Sequence, residues 1–294
     1  MALRRAGRRA RGATAYVTLE PCAHHGKTPP CADALIRAGV VEVVYAQGDS
    51  NPLTSGKGPL RLKAAGVRVR RARAPSDLLE PYRRHLGRRR PWVIAKWAMT
   101  LDGKIAARGG DSRWVTSDAA RRWAHENLRA HADAILVGAG TVRADDPALT
   151  NRGKGRQPLR IVVCGREPLP RGARVLGPRT LLAVPKGFRA PRGTDTLVCG
   201  ARGRVDVRRL LAALRARGIG RLLVEGGAAI LGAFFDAGVV DQVAVFLGPK
   251  IVGGALGLAP VGGEGKARMA SAPPIRDAIF HRFGGDLLVE GYLG

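Results

Sequence analysis

Arg221-Leu222-Leu223-Val224-Glu225-Gly226-Gly227-Ala228-Ala229-Ile230-Leu231-Gly232-Ala233-Phe234-Phe235-Asp236-Ala237 changes character twice. Residues 221–224 are short, apolar and strand-like, and the Glu-Gly-Gly that follows closes the strand. Residues 230–237 then read as a helix. A strand passing through a glycine turn into a helix is the unit from which α/β layers are built. The glycine amides and the helix N-terminus could together hold a pyrophosphate-sized anion. A Gly-Gly after a strand is by itself more often only a tight turn. No Gly-x-Gly-x-x-Gly follows a first strand, so the pattern is not that of a Rossmann domain.

The same alternation extends in both directions. Residues 92–99 form an apolar strand, and 117–130 read as a helix with Ser117 as its N-cap. Strands are expected at 133–138, 159–164, 180–184 and 196–199, an amphipathic helix at 207–216, and closing strands at 243–247 and 287–292. Nearer the N-terminus, 13–20 reads as a strand and 30–38 as a helix with proline in its first turn, closed by Gly39. Residues 40–46 read as a second strand, 60–65 as a short helix ended by Gly66, and 67–69 as the start of a third strand. The run Arg83-Arg84-His85-Leu86-Gly87-Arg88-Arg89-Arg90-Pro91 reads as a solvated connector. A domain boundary is therefore expected near residue 90, with units at 1–88 and 91–294.

Composition narrows the class. A 45% apolar fraction over 294 residues suffices for packed cores, and mean hydropathy is −0.08. No apolar run approaches a bilayer-spanning length, and Met1-Ala2-Leu3-Arg4-Arg5 lacks the apolar core of a secretory signal, so a cytoplasmic protein is expected. The formal charge of +27 comes from 41 arginines and only nine lysines, scattered along the chain with 5% aromatics. Such dispersal suits compositional drift plus an anionic small substrate better than a nucleic-acid surface, which wants stacking platforms. An RNA-binding or tRNA-modifying protein is kept as the alternative. Four cysteines make no disulfide framework. Cys164 and Cys199 lie in apolar strands and read as inert buried thiols.

Cys22 and Cys31 differ, because they stand in Thr18-Leu19-Glu20-Pro21-Cys22-Ala23-His24-His25-Gly26-Lys27-Thr28-Pro29-Pro30-Cys31. One Pro-Cys ends a strand and the other begins a helix, so both thiols can converge, and a helix N-terminus favours a thiolate. Catalytic zinc uses three protein ligands and a water. This segment resembles the zinc deaminase domain of the bifunctional riboflavin-biosynthesis deaminase/reductase family, which also has a long loop between its cysteines. The resemblance makes Cys22 and Cys31 zinc ligands, and His24 and Lys27 contacts of a phosphorylated substrate. Zinc deaminases also need an upstream His-x-Glu, the His for the metal and the Glu for proton transfer. A chain beginning at Met1 lacks both. Two expectations are open: Met1 is a misassigned start, or the deaminase half is inactive in the chain as given.

From Lys96 onward the resemblance to the same family is dense. It runs through Lys96-Trp97-Ala98-Met99-Thr100-Leu101-Asp102-Gly103-Lys104-Ile105-Ala106, Asp111-Ser112-Arg113-Trp114, Leu128-Arg129-Ala130, and Gly140-Thr141-Val142-Arg143-Ala144-Asp145-Asp146-Pro147-Ala148-Leu149-Thr150-Asn151-Arg152. It ends on Leu223-Val224-Glu225-Gly226-Gly227-Ala228. The implied architecture is α/β, a partial cytidine-deaminase-like N-terminal domain followed by a dihydrofolate-reductase-like C-terminal domain. The implied reaction is reduction of a phosphorylated ribosylamino-pyrimidine by NADPH. The family's NADPH contacts would fall on Ala98, Trp114, Thr141, Asp145 and Gly227, Ala228, Ala229, Ile230, Leu231, Gly232 and Ala233. Its substrate contacts would fall on Ser112, Arg129, Leu149, Arg152 and Glu225, with Lys96 and Glu225 catalytic. Guanidinium forks at Arg129 and Arg152 suit a ribose phosphate. The implied partner is a second copy of the chain, joined through the reductase domain. A monofunctional reductase with a vestigial N-terminal domain is the variant reading.

Overall fold

The chain divides into two units, Met1–Arg88 and Arg89–Gly294. The computed structural model describes residues 2–25, 29–49, 54–72, 89–153, 156–254 and 257–293.

In the first unit, helix α1 (Ala2–Ala6) and a 3-10 turn lead into β1 (Thr14–Leu19). Then come α2 (Cys31–Arg37), β2 (Glu42–Gln47), α3 (Lys57–Ala64) and β3 (Arg68–Arg71). The three strands pair in parallel in the order β1-β2-β3. Ala32, Leu35, Val40, Val43, Leu62 and Val67 form its core, the apolar side of both helices closing on the sheet. Burial of such side chains is what holds so small a layer.

The second unit begins with β4 (Trp92–Thr100), α4 (Asp118–Trp123), a π-helical turn (Ala124–Leu128) and a 3-10 turn (Arg129–His131). It continues with β5 (Ala134–Gly138), α5 (Ala139–Asp145), β6 (Leu159–Val163), β7 (Thr180–Pro185), β8 (Asp195–Ala201), β9 (Arg204–Val205), α6 (Val207–Ala216) and β10 (Arg221–Val224). Helix α7 (Ala228–Asp236), β11 (Gln242–Gly248), β12 (Ile275–Phe283) and β13 (Asp286–Leu293) complete it. The ten strands run β12-β13-β11-β4-β10-β5-β6-β7-β8-β9. Seven of them, β11 to β8, are mutually parallel.

Alternation along the central strands assigns the two faces. On β4, Trp92 and Ile94 enter one core with Leu128, Ile135, Leu223 and Phe246. Val93 and Ala95 enter the other, with Leu136, Leu222, Val224, Leu210, Leu214 and Phe234. The sheet is thus covered on both sides, as parallel sheets are. After β4 the chain passes over to β5 and moves outward through β6, β7 and β8. Strand β10 later enters between β4 and β5, in register Val224↔Ala95 and Val224↔Leu136. That reversal opens a crevice at the carboxyl ends of β4, β10 and β5, where open α/β sheets bind ligands.

Three details depart from the sequence reading. The helix expected over 117–130 ends at Trp123 and continues as a π turn and then a 3-10 turn. Ser117 caps it as expected, its Oγ accepting from Ala120 N. Helix α5 and strand β12 were not foreseen at all. Helix α5 has only seven residues, and β12 is interrupted by a bulge between Arg276 and Ile279, with Asp277 at φ 51°.

Candidate active site

Glu225 stands one residue beyond β10, at the floor of the crevice, with 9% of its side chain exposed. Arg129 grips it with a bidentate fork, Nε to Oε1 and Nη2 to Oε2 both at 2.7 Å. The third Arg129 nitrogen donates to Thr150 O at 3.1 Å. Lys96 on β4 brings Nζ to 3.9 Å from Glu225 Oε2 and lies 5.5 Å from the Phe246 ring. β4, β10 and the turn after the π helix therefore deliver three charged side chains to one point. Burial alone would raise the Glu225 carboxyl, but Arg129 and Lys96 override it and hold it at about 2. Burial pushes the Lys96 ammonium down, against the pull of Glu225 and with the push of Arg129. The outcome is an ionised carboxylate beside a lysine that holds its proton less tightly than a free one.

His125 belongs to this cluster and was not singled out from sequence. Its Nδ1 is buried with no hydrogen-bond partner. Burial first, then Arg129 and Arg152, bring its imidazole down to about 4. The readable signal was its spacing, four residues before Arg129 on one helical face.

Of the remaining expected substrate residues, Leu149 is buried in the first core, Ser112 is half-buried and Arg152 is exposed. Leu149, 2% exposed, and Arg152 both hold positive φ, 49° and 56°. Between them Asn151 accepts from Gly153 N at 3.0 Å and donates to Arg156 O at 3.3 Å, which fixes the turn presenting Arg152. Ser112 Oγ donates to Asp145 Oδ1 at 3.0 Å, so an expected substrate residue and an expected cofactor residue meet directly.

Of the expected cofactor residues outside α7, Thr141 meets its N-terminus directly. Gly227 N donates to Thr141 Oγ1 at 3.1 Å. A Cβ on Gly226 would meet the Ile230 side chain at 2.6 Å, so the turn closes only with glycine there. Ile230 N and Leu231 N donate to Gly227 O at 3.0 and 3.1 Å, so the amides of Ala228 and Ala229 are the first-turn donors left for an anion. This cradle fits the pyrophosphate of a dinucleotide. Ala228 and Ala229 reach its surface, whereas Leu231 is fully buried in the core and Gly232 is buried under Gly262. Ile230 and Ala233 are half-buried on the same helix. Trp114 is 54% exposed, with the Arg121 guanidinium 4.0 Å from its ring centroid and Lys250 Nζ donating to its carbonyl at 2.6 Å. Ala98 packs against the first core on β4.

In the first unit, β1 and the start of α2 bring the two expected metal ligands together. Cys31 N–H donates to Cys22 Sγ at 3.3 Å. Burial and then Cys22 raise the Cys31 thiol. Two sulfurs so placed fit two corners of a zinc tetrahedron. Among the described residues no group of three or more His, Cys, Asp or Glu gathers around a point. His24 Nδ1 is buried without a partner, and Lys27 lies outside the described residues. Glu20, which the sequence reading gave no role, anchors this loop: it is 6% exposed and accepts from Asp49 N at 3.2 Å and Gly56 N at 2.6 Å. Cys164 and Cys199 are the inert thiols expected, raised by burial to about 12 and about 11.

Comparison with known proteins agrees with this layout. Residues 91–289 match the RibD C-terminal domain, and residues 1–47 match the cytidine and deoxycytidylate deaminase zinc-binding region. The riboflavin biosynthesis protein RibD of Actinobacillus pleuropneumoniae is 39% identical over 295 residues, covering 95% of this chain and 78% of the relative. The structure of Acinetobacter baumannii RibD superposes with a TM-score of 0.84 at 33% identity, over 100% of this chain and 84% of that one. A diaminohydroxyphosphoribosylaminopyrimidine deaminase/5-amino-6-(5-phosphoribosylamino)uracil reductase from Thermotoga maritima gives 0.81 at 33% identity, over 99% and 83%. The RNA-binding alternative gains no support from these matches. With a domain match over most of its length and relatives of this identity and coverage, the chain belongs to the RibD family of riboflavin biosynthesis proteins.

Proposed function

We propose that the second unit reduces 5-amino-6-(5-phosphoribosylamino)uracil to its ribityl form with NADPH, and that the first unit holds two ligands, Cys22 and Cys31, of the family's zinc deaminase site. The observation that carries the reductase reading is the Arg129–Glu225–Lys96 cluster beside the α7 cradle. Bound at that cradle, NADPH supplies the hydride. The ring-opened sugar accepts it at C1 of its imine, and the imine nitrogen takes up a proton. Lys96 is the proton donor in this scheme, because burial weakens its hold on the proton. Glu225 stays ionised and is not the acid. It orients Arg129 and Lys96, and its remaining lone pairs accept from the sugar or the nitrogen. Arg129 and Arg152 pair with the phosphate. Ser112 and Leu149 border the same pocket, and Ala98, Trp114, Thr141, Asp145 and residues 227–230 form the cofactor's, with Leu231 and Gly232 packed beneath them. In the first unit Cys22 and Cys31 would be two of the ligands of a zinc ion whose chemistry would be water activation, and His24 and Lys27 would lie toward the substrate phosphate.

The same reading places the protein in the cytoplasm, a reducing compartment that keeps Cys22 and Cys31 as thiols. Its partner is a second copy of the chain. Edge strand β12 supports this, with Ile275, Ile279 and Phe280 exposed at 44%, 56% and 65%.

The test is NADPH oxidation by the purified chain with the amino or the deaminated pyrimidine phosphate. Oxidation with the deaminated substrate is the expected result. Turnover with neither substrate would remove the reductase assignment. Ammonia release from the amino substrate reports separately on the zinc site.

A further inference from the structure

His125 is the one member of the second unit's charged cluster whose polar atom is left over. Lys96 faces it from β4, Arg129 from its own helical segment, Arg152 from the turn after α5, and Glu225 from the end of β10. Arg129 and Lys96 already engage Glu225, yet Nδ1 of His125 is buried and bonded to nothing. Buried polar atoms are almost always paired, so one left without a partner among these charged groups calls for a ligand atom. The backbone around it points the same way. Residues 124–128 leave α-helical geometry for a π turn, the irregularity that recurs at functional sites. A charged imidazole is disfavoured beside three cations, so the group is an uncharged donor or acceptor.

We propose that His125 is a substrate-binding residue of the reductase pocket, its Nδ1 hydrogen-bonding an oxygen of the phosphorylated sugar. The proposal rests on the reductase reading above and adds to it a neutral contact among the ionic ones. Such a contact discriminates by geometry rather than by charge, and it favours a hydroxylated sugar phosphate over a bare anion.

The test compares the unchanged chain with His125→Leu and His125→Asn. In His125→Leu, KM for the deaminated pyrimidine phosphate should rise roughly tenfold or more while the NADPH dissociation constant holds. Thermal stability should stay level or rise, since the orphaned nitrogen is gone. Stabilisation of the NADPH-free protein by ribose 5-phosphate should weaken in parallel. His125→Asn, which returns an amide near the Nδ1 position, should recover part of both. An unchanged KM in His125→Leu, or a fall in stability that accounts for the whole effect, would overturn the proposal while leaving the reductase reading intact. Failure of the unchanged chain to oxidise NADPH would overturn both.

Discussion

Glu225 shows how a single residue can carry both stability and chemistry. Burial works against its charge, and only the Arg129 fork with Lys96 reverses the balance, to about 2. Its folded value lies below the unfolded value, so its contribution is complete above about pH 4.5 and fades as pH falls toward 2. Glu225→Gln should therefore lose roughly 2 to 4 kcal/mol of stability at neutral pH, partly by leaving Arg129 buried and unpaired. Urea unfolding across a pH series checks the sign: the gap between variant and unchanged chain should narrow below pH 4.5. A gap constant with pH would mean that the carboxylate's charge is not what stabilises the site. The same variant should lower turnover by about 10²-fold or more, because Arg129 and Lys96 lose their common anchor.

Helix α7 sets the cofactor cradle, and its position depends on an approach of backbone to backbone. A Cβ on Gly232 would lie 2.3 Å from Gly262 C and 2.4 Å from Gly262 O, while Gly262 N donates to Ala228 O at 3.0 Å. Alanine normally gains up to about 1 kcal/mol over glycine inside a helix. Here no flexible side chain can yield, so Gly232→Ala should cost about 1 to 3 kcal/mol net and lower the melting temperature by several degrees. Calorimetry would show it, and an unchanged midpoint would mean that the loop bearing Gly262 moves freely. Thr141→Val removes only the acceptor of Gly227 N and should weaken NADPH about fivefold by fluorescence titration, with little change in stability. Elements of this kind were legible where pattern was strong. The helix at Val207–Ala216 and the strand at Arg221–Val224 fall on the residues that periodicity assigns. Helix α5 escaped because seven residues opening on Ala-Gly-Thr carry too little period, and β12 because a mostly exposed, bulged edge strand has no buried alternation. At the site, Arg129, Glu225 and Lys96 were legible through motif resemblance. His125 was not, because its significance is the missing partner of one nitrogen, which only packing reveals.

At the scale of the whole chain, each unit has a core of its own, and the second opens with a lock on its own sheet. Arg90 donates to Asp241 through Nη1 at 2.6 Å and Nη2 at 2.8 Å, and the same carboxylate accepts from Val93 N at 2.9 Å. Asp241 is 5% exposed by side chain and Arg90 26%, so the pair is largely shielded. It joins the residues just before β4 to the residue just before β11, two strands that lie side by side. Breaking a shielded pair by removing one partner leaves a buried charge and costs about 3 kcal/mol, more than a surface bridge returns. Arg90→Ala should therefore destabilise the second unit by roughly that amount. If that unit is a cooperative body by itself, the loss should be equal in the full chain and in a fragment comprising residues 89–294, since Arg90, Val93 and Asp241 lie inside the fragment. Chemical denaturation of all four proteins decides the matter. Equal losses, with NADPH still bound by the fragment, would establish the second unit as an autonomous reductase fold. A fragment that does not fold, or that loses far more than the full chain, would show that its stability is shared with the first unit.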